Sequence, residues 1–270
     1  MKKRVKWLIL TVSTLMLIII IFIIHYRHYY SIAKEIDFYT TEHHYDDTLR
    51  IAFIGDSWAY HHQEHTCQIC RILSDSIHKP VTIMSAGIPG ATSKSIYADF
   101  ATDTPIHKVL KNGPDYCIVS AGINDSNLKL GCKYYQQHVR LIIDFLLRNK
   151  IVPIIIEIPD YNIKKVYSES SLMQKIRRIL SMAMTGSSLD CRNENRQALN
   201  FMIEQNNYSN NVVVIRKHQW NPSGYKDPRH IYKEDGIHIN DKGYEFLDSC
   251  IIQSILKDYH HRKMQLSQLN

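Results

Sequence analysis

The sequence predicts an α/β fold: a three-layer α/β/α sandwich around a mostly parallel five-stranded sheet, preceded by one N-terminal transmembrane helix. Three observations carry this. From residue 49 onward, short apolar runs alternate with longer amphipathic stretches, the pattern of strands joined by helical crossovers. The run at residues 151–158 is almost wholly apolar, which suits a strand covered on both faces. Residues 7–24 carry no charge and follow Lys2, Lys3, Arg4 and Lys6. As a helix they span about 27 Å, enough for a bilayer hydrocarbon core.

The N-terminal elements come first. The basic cluster before residue 7, against a sparser Arg27 and Lys34 after it, predicts a cytoplasmic N-terminus and an exported remainder, periplasmic or extracellular. A cleaved signal peptide competes, because Ser31-Ile32-Ala33 resembles a cleavage site. The apolar run exceeds the usual ~7–15 residues of a signal core, and bulky Tyr and His residues precede that site. The expected organisation is a basic tail at 1–6, a membrane anchor at 7–24 and a polar, aromatic stalk at 25–47. A folded domain at 48–260 and a C-terminal tail at 261–270 follow. That domain, with its about 220 residues including the tail, is long enough for one sizeable core.

Within it, residues 49–54 read as the first strand and 59–78 as the helix after it. Residues 81–84 form the second strand, with a helix over 93–111. Residues 115–120 form the third strand. The helix over 133–150 has Val139, Ile142, Ile143, Leu146 and Leu147 at helical spacing. Residues 151–158 are the fourth strand, 211–215 the fifth, and 244–257 a closing helix. Residues 160–210 exceed one crossover and hold two helical stretches, the amphipathic 167–184 and 194–203. Both are expected to be surface helices.

Composition excludes some functions. Net charge is +7, but four of the positive charges precede residue 7, so the domain is only mildly basic. No dense Lys/Arg stripe implies nucleic acid. Six cysteines in an exported domain allow fifteen full pairings. Cys117 is expected to be a buried thiol, with Cys132, Cys191 and Cys250 near helix ends where bridges can form. Cys67 and Cys70 lie near His61, His62 and His65, but no second ligand pair accompanies them, so no metal site is expected. A redox C-x-x-C opens its helix, whereas this one is expected two to three turns in.

Four separated segments carry chemistry: Gly55-Asp56-Ser57, Gly87 within Ser85-Ala86-Gly87-Ile88-Pro89-Gly90, Gly122-Ile123-Asn124-Asp125, and Asp235-Gly236-Ile237-His238. The first three fall at C-terminal ends of predicted strands, where open parallel sheets bind ligands. A serine hydroxyl is a weak nucleophile and needs a base. Ser57, His238 and Asp235 make the expected catalytic set, with Asp235 fixing the imidazole tautomer. The backbone N–H groups of Ser57 and Gly87 and the Asn124 amide are the expected oxyanion donors. Each tripeptide alone is ordinary turn chemistry; the ordered set is not. Trp58, Trp220 and Tyr225 are the candidates to meet substrate, the last two from an aromatic loop at 217–232 that either offers its rings to sugars or packs them on the domain.

From about residue 49 to 257 the chain resembles the SGNH/GDSL hydrolase family. Ser57, Gly87, Asn124 and His238 match the four residues of its name, and Asp235 the acid of its Asp-x-x-His motif. The stretch from Asp235 to Phe246 matches furthest, through Asn240 and Gly243-Tyr244. Trp58 replaces the commoner Leu, and Ser85 stands where Asn is frequent. The resemblance implies a flavodoxin-like sandwich and an esterase or acyltransferase without a cofactor. Ala59 breaks the G-x-S-x-G elbow of the α/β-hydrolases. The expected reaction is removal of O-acetyl groups from a cell-envelope or capsular glycan. O-acyl transfer to such a glycan, lipid ester hydrolysis and a silent membrane-tethered binding or assembly factor are the alternatives. The expected partners are therefore an ester substrate and the membrane.

Overall fold

The computed structural model describes residues 2–37 and 39–269, and the chain divides into two units. The first, ending at Ala33, is one helix, α1 (Lys2–Tyr30). Its Lys3–His28 stretch is long and apolar enough to cross a membrane.

The second unit begins at Lys34 and holds every strand among the described residues. Its elements run β1 (Leu49–Gly55), α2 (Ser57–His61), α3 (Thr66–Ile77), β2 (Val81–Gly87), α4 (Ser93–Ala98) and α5 (Pro105–Lys111). They continue with β3 (Tyr116–Ser120), α6 (Ile123–Leu128), α7 (Cys132–Arg148), β4 (Val152–Ile156), α8 (Ile163–Ser168) and α9 (Leu172–Thr185). The last are α10 (Arg192–Gln205), β5 (Val213–Ile215), α11 (Lys217–Trp220) and α12 (Asp241–Leu269).

The five strands pair in parallel in the order β2-β1-β3-β4-β5. Ile51, Ala52, Phe53 and Ile54 are all buried; because strand side chains alternate, both faces of β1 are covered. One layer contains α3 and α12 in mutual contact, and the other contains α4, α7 and α10. The parallel register aligns Gly55 with Gly87 on one side and with Ser120 on the other. Three motif-bearing turns therefore leave the sheet side by side, where the chain order switches direction around β1.

Several boundaries differ from expectation. The helix expected over 59–78 is two helices, α2 and α3, separated by a 3-10 turn at His62–Glu64. Buried His62 donates to Asp248 at 2.7 Å and ties that break to α12. The helix expected over 93–111 divides because Thr104 caps a new helix with Pro105 at its start. The tail expected at 261–270 continues α12 to Leu269, with Arg262 donating to Asp258 at 2.6 Å.

Part of the expected stalk is a strap along the domain. Tyr97 accepts the Ile36 N–H on its hydroxyl at 2.9 Å, Tyr39 donates to the His107 carbonyl at 3.1 Å, and the Glu42 N–H donates to the Lys111 carbonyl at 2.8 Å. All six cysteines are free thiols. Cys67 and Cys70 open α3 rather than lying turns inside a helix. Burial pushes the Cys70 thiol pKa up, the opposite of what activates a redox cysteine.

Candidate active site

Ser57 begins α2 immediately after β1. Asp56 caps this helix by accepting the Trp58 N–H at 3.0 Å, satisfying one of the donors a helix start leaves open. The Ser120 hydroxyl also donates to Asp56, at 3.1 Å, and the Asp56 N–H donates to the Ser120 carbonyl at 3.1 Å. The turn is thereby fastened to β3. Only glycine suits position 55: φ is +151°, and a Cβ there would lie 2.1 Å from the Ser120 carbonyl oxygen. From α12, Tyr244 donates to the Trp58 carbonyl at 3.0 Å and holds α2 from the other side.

His238 and Asp235 lie in a tight loop before α12. Lys233 N–H donates to the His238 carbonyl at 2.7 Å, next to an antiparallel bridge between Tyr232 and Ile239. The loop is pinned from outside by the Asn162 N–H on the Gly236 carbonyl at 2.7 Å and by Lys165 on the Glu234 carbonyl. One Asp235 oxygen accepts the backbone N–H groups of Ile237 and His238, both at 2.9 Å. The other meets His238 Nδ1 at 2.6 Å. His238 Nε2 lies 2.8 Å from Ser57 Oγ, bridging 181 residues of sequence. A carboxylate only accepts, so Nδ1 carries the hydrogen and Nε2 offers its lone pair to the serine hydroxyl.

Burial acts to raise the Asp235 pKa, but its bonds to the His238 side chain and to the two backbone N–H groups outweigh it and hold the pKa below the usual value. The ionised form is the one this geometry favours. His61, one helical turn after Ser57, sets its ring edge-on to His238, with centroids 5.4 Å apart at 81°. Burial, then Lys233 and His238, lower the His61 pKa.

Gly87 and Asn124 complete the rim. A Cβ on Gly87 would fall 2.1 Å from the Tyr60 backbone nitrogen and 2.3 Å from the Asp56 carbonyl oxygen, so α2 rests directly on this glycine. Asn124, in α6, donates one amide hydrogen to the Ala91 carbonyl at 2.9 Å, which leaves the second to donate elsewhere. Buried Asp125 accepts the Ser93 N–H at 2.9 Å and its hydroxyl, joining α6 to the start of α4. Burial pushes the pKa of Asp125 up to about 6 and that of Asp56 up to about 7.

Residues 53–246 match the GDSL-like lipase/acylhydrolase family. The chain belongs to this family. The fold agrees with solved structures: the lipase/acylhydrolase of Enterococcus faecalis is 18% identical, with a TM-score of 0.53 over 77% of this chain and 95% of that one. An acetyl xylan esterase from Geobacillus stearothermophilus is 16% identical, with a TM-score of 0.52 over 77% of this chain and 94% of that one. These are likenesses of fold. No curated protein matches the sequence. The chain is thus an SGNH-type serine hydrolase of the acylhydrolase and esterase class.

Within this GDSL hydrolase, Ser57, His238 and Asp235 come together as spaced for acyl transfer. Two of the three aromatics expected to meet substrate do not. Trp58 and Trp220 are 0% and 1% exposed and pack edge-to-face, with centroids 5.6 Å apart. Adjacent helical residues point about 100° apart, so a Ser57 that faces the cleft turns Trp58 into the core. Tyr225 stays at the surface, 37% exposed, in a short 3-10 turn. Sequence reasoning missed the supporting roles of Asp56, Ser120, Asp125 and Tyr244. The first and third stand inside quoted motifs, where a helix-capping Asp and a carboxylate beside the Asn were the available signals.

Proposed function

We propose that this protein is a serine esterase that removes acyl groups, O-acetyl foremost, from a cell-envelope or capsular glycan through an acyl-Ser57 intermediate. The observation that carries the chemistry is the continuous contact from Asp235 through His238 to Ser57, at 2.6 and 2.8 Å. In the first half-reaction, Ser57 Oγ attacks the ester carbonyl carbon while its proton passes to His238 Nε2. Asp235 stabilises the imidazolium that results. The carbonyl oxygen takes the negative charge against the Ser57 and Gly87 N–H groups and the Asn124 amide. Collapse of this intermediate breaks the bond to the sugar oxygen, which leaves with the proton from Nε2. In the second half, water gives a proton to Nε2 as its oxygen attacks the acyl carbon; collapse breaks the bond to Ser57 Oγ, which takes the proton back from Nε2 as the acid leaves.

Two observations support the envelope glycan as substrate. Residues 7–24 are an apolar segment fit to anchor the chain with its N-terminus in the cytoplasm and the domain beyond the membrane. An acetyl xylan esterase shares the fold. Tyr225 is the surface aromatic left to stack on a sugar ring. The test uses the full chain in detergent with p-nitrophenyl acetate. Hydrolysis that falls to background in Ser57→Ala and His238→Ala supports the reading, and an inactive wild type contradicts it. Mass spectrometry of envelope glycans from cells with and without the protein then reads the substrate, as a rise in O-acetylation when it is absent.

A further inference from the structure

Helix α9 is amphipathic in the reverse sense to a packing helix. It is a well-terminated element, opened by a reciprocal Ser171–Gln174 capping box and closed at Gly186, where φ is +69°. Its polar side faces the protein: Arg178 and Ser181 are its buried residues. Arg178 donates to the Asn127 backbone and side-chain oxygens at 2.9 and 2.7 Å, and Thr185 donates to the Lys129 carbonyl at 3.1 Å. These bonds hold the helix on the C-terminal end of α6. Its apolar side faces out: Leu172 and Met173 are 74% and 73% exposed, and Ile176, Ile179 and Leu180 are exposed beside them.

At about 100° per residue these five side chains occupy one arc about 120° wide. Lys175 and Arg177 fall just beyond its two borders, one on each side. No Asp or Glu occurs anywhere in the helix. Single exposed apolar residues are ordinary, but five contiguous on one helix mark a contact surface. We propose that α9 is a membrane-surface helix, its apolar arc seated among the acyl chains of a bilayer carrying anionic headgroups.

The charge pattern selects this occupant. Lys175, half-buried with its ammonium on the Ser168 carbonyl at 3.1 Å, and half-buried Arg177 flank the arc with positive charge and no acidic residue, which favours an anionic bilayer surface over a neutral one. A two-fold contact with a second copy would set those cationic borders against each other, with no acidic residue on the helix to answer them. A bilayer is also at hand when residues 7–24 anchor the chain. Docked this way, α6 and its Asn124 lie one helix away from the headgroups, so the site takes esters presented at the membrane surface. The inference does not depend on which acyl ester is cleaved.

The test places p-benzoylphenylalanine at position 176 or 179 of the full chain, with exposed Asp75 on α3 as the control position. The protein is reconstituted in 3:1 phosphatidylcholine and phosphatidylglycerol vesicles, irradiated, and recovered by flotation for mass spectrometry. The expected result is lipid adducts at 176 and 179 at least about tenfold above those at 75, falling when phosphatidylglycerol is omitted. Covalent dimers in place of lipid adducts overturn the proposal. So do adduct yields equal to the control, and so does a chain absent from the floated fraction.

Discussion

Replacing Asp235 by Asn isolates the electrostatic step with little change of shape. In the wild type, one carboxylate oxygen anchors the loop through the Ile237 and His238 N–H groups and the other accepts from His238 Nδ1. Asparagine keeps the first set through its carbonyl oxygen but places an NH2 where the second acceptor stood. Donor then faces donor, so the imidazole shifts its hydrogen to Nε2, the atom 2.8 Å from Ser57 Oγ. A nitrogen carrying a hydrogen cannot take the serine proton. Turning the amide over restores Nδ1 but breaks both loop bonds. Loss of the working tautomer costs on the order of 10⁴ in kcat, about 5.5 kcal/mol of transition-state stabilisation. Steady-state hydrolysis of p-nitrophenyl acetate should show this loss in Asp235→Asn, with KM and the thermal unfolding midpoint near wild type. A kcat within about tenfold of wild type would refute the reasoning.

Three further outcomes follow from the geometry. Gly87→Ala drives a methyl into the Tyr60 and Asp56 backbone, displacing α2 and Ser57; about 10²-fold or more of kcat should be lost, and a crystal structure should show the shift. Asn124→Ala should lower kcat about 10²–10³-fold while leaving substrate affinity nearly unchanged, as steady-state kinetics will read. Asp56 governs a stability slope. With its folded pKa raised to about 7 from an ordinary 3.8, the folded state keeps a proton the unfolded state has lost between those values. Stability therefore falls as pH rises through that window, by up to roughly 1.4 kcal/mol per pH unit, and is flat with respect to this group outside it. Asp125, raised to about 6, adds a similar slope below that pH. Urea unfolding of Asp56→Asn should thus lose the decline between about pH 6 and 7 and keep the part below it; an unchanged profile contradicts the assignment.

The sheet and the convergence of the first three motifs were legible because each of those three follows an apolar run, and the parallel register leaves few ways to place Gly55, Gly87 and Ser120. The Asp235-to-His238 loop was legible from spacing alone, since three residues suffice for the carboxylate to reach Nδ1. Side-chain direction on short helices was not. Trp58 read as a pocket residue because it follows Ser57, yet α2 spans one turn and buries it. Trp220 read as a loop aromatic, and its burial depends on meeting Trp58 across the fold. The break at 62–65 rests on the long-range pair of His62 with Asp248, which no local pattern announces. The end of α12 carries no apolar periodicity to read, although its residues and the Asp258–Arg262 pair favour helix. Periodicity identified α9 as amphipathic, but it does not say which side faces the protein.

The central claim is that the hydroxyl of Ser57 is the group that becomes acylated, driven by His238. Treating the full chain with a fluorophosphonate and sequencing its peptides by mass spectrometry tests this directly. The adduct should sit on Ser57 and disappear in His238→Ala. An unmodified Ser57 peptide, or labelling that persists undiminished without the imidazole, would contradict the account.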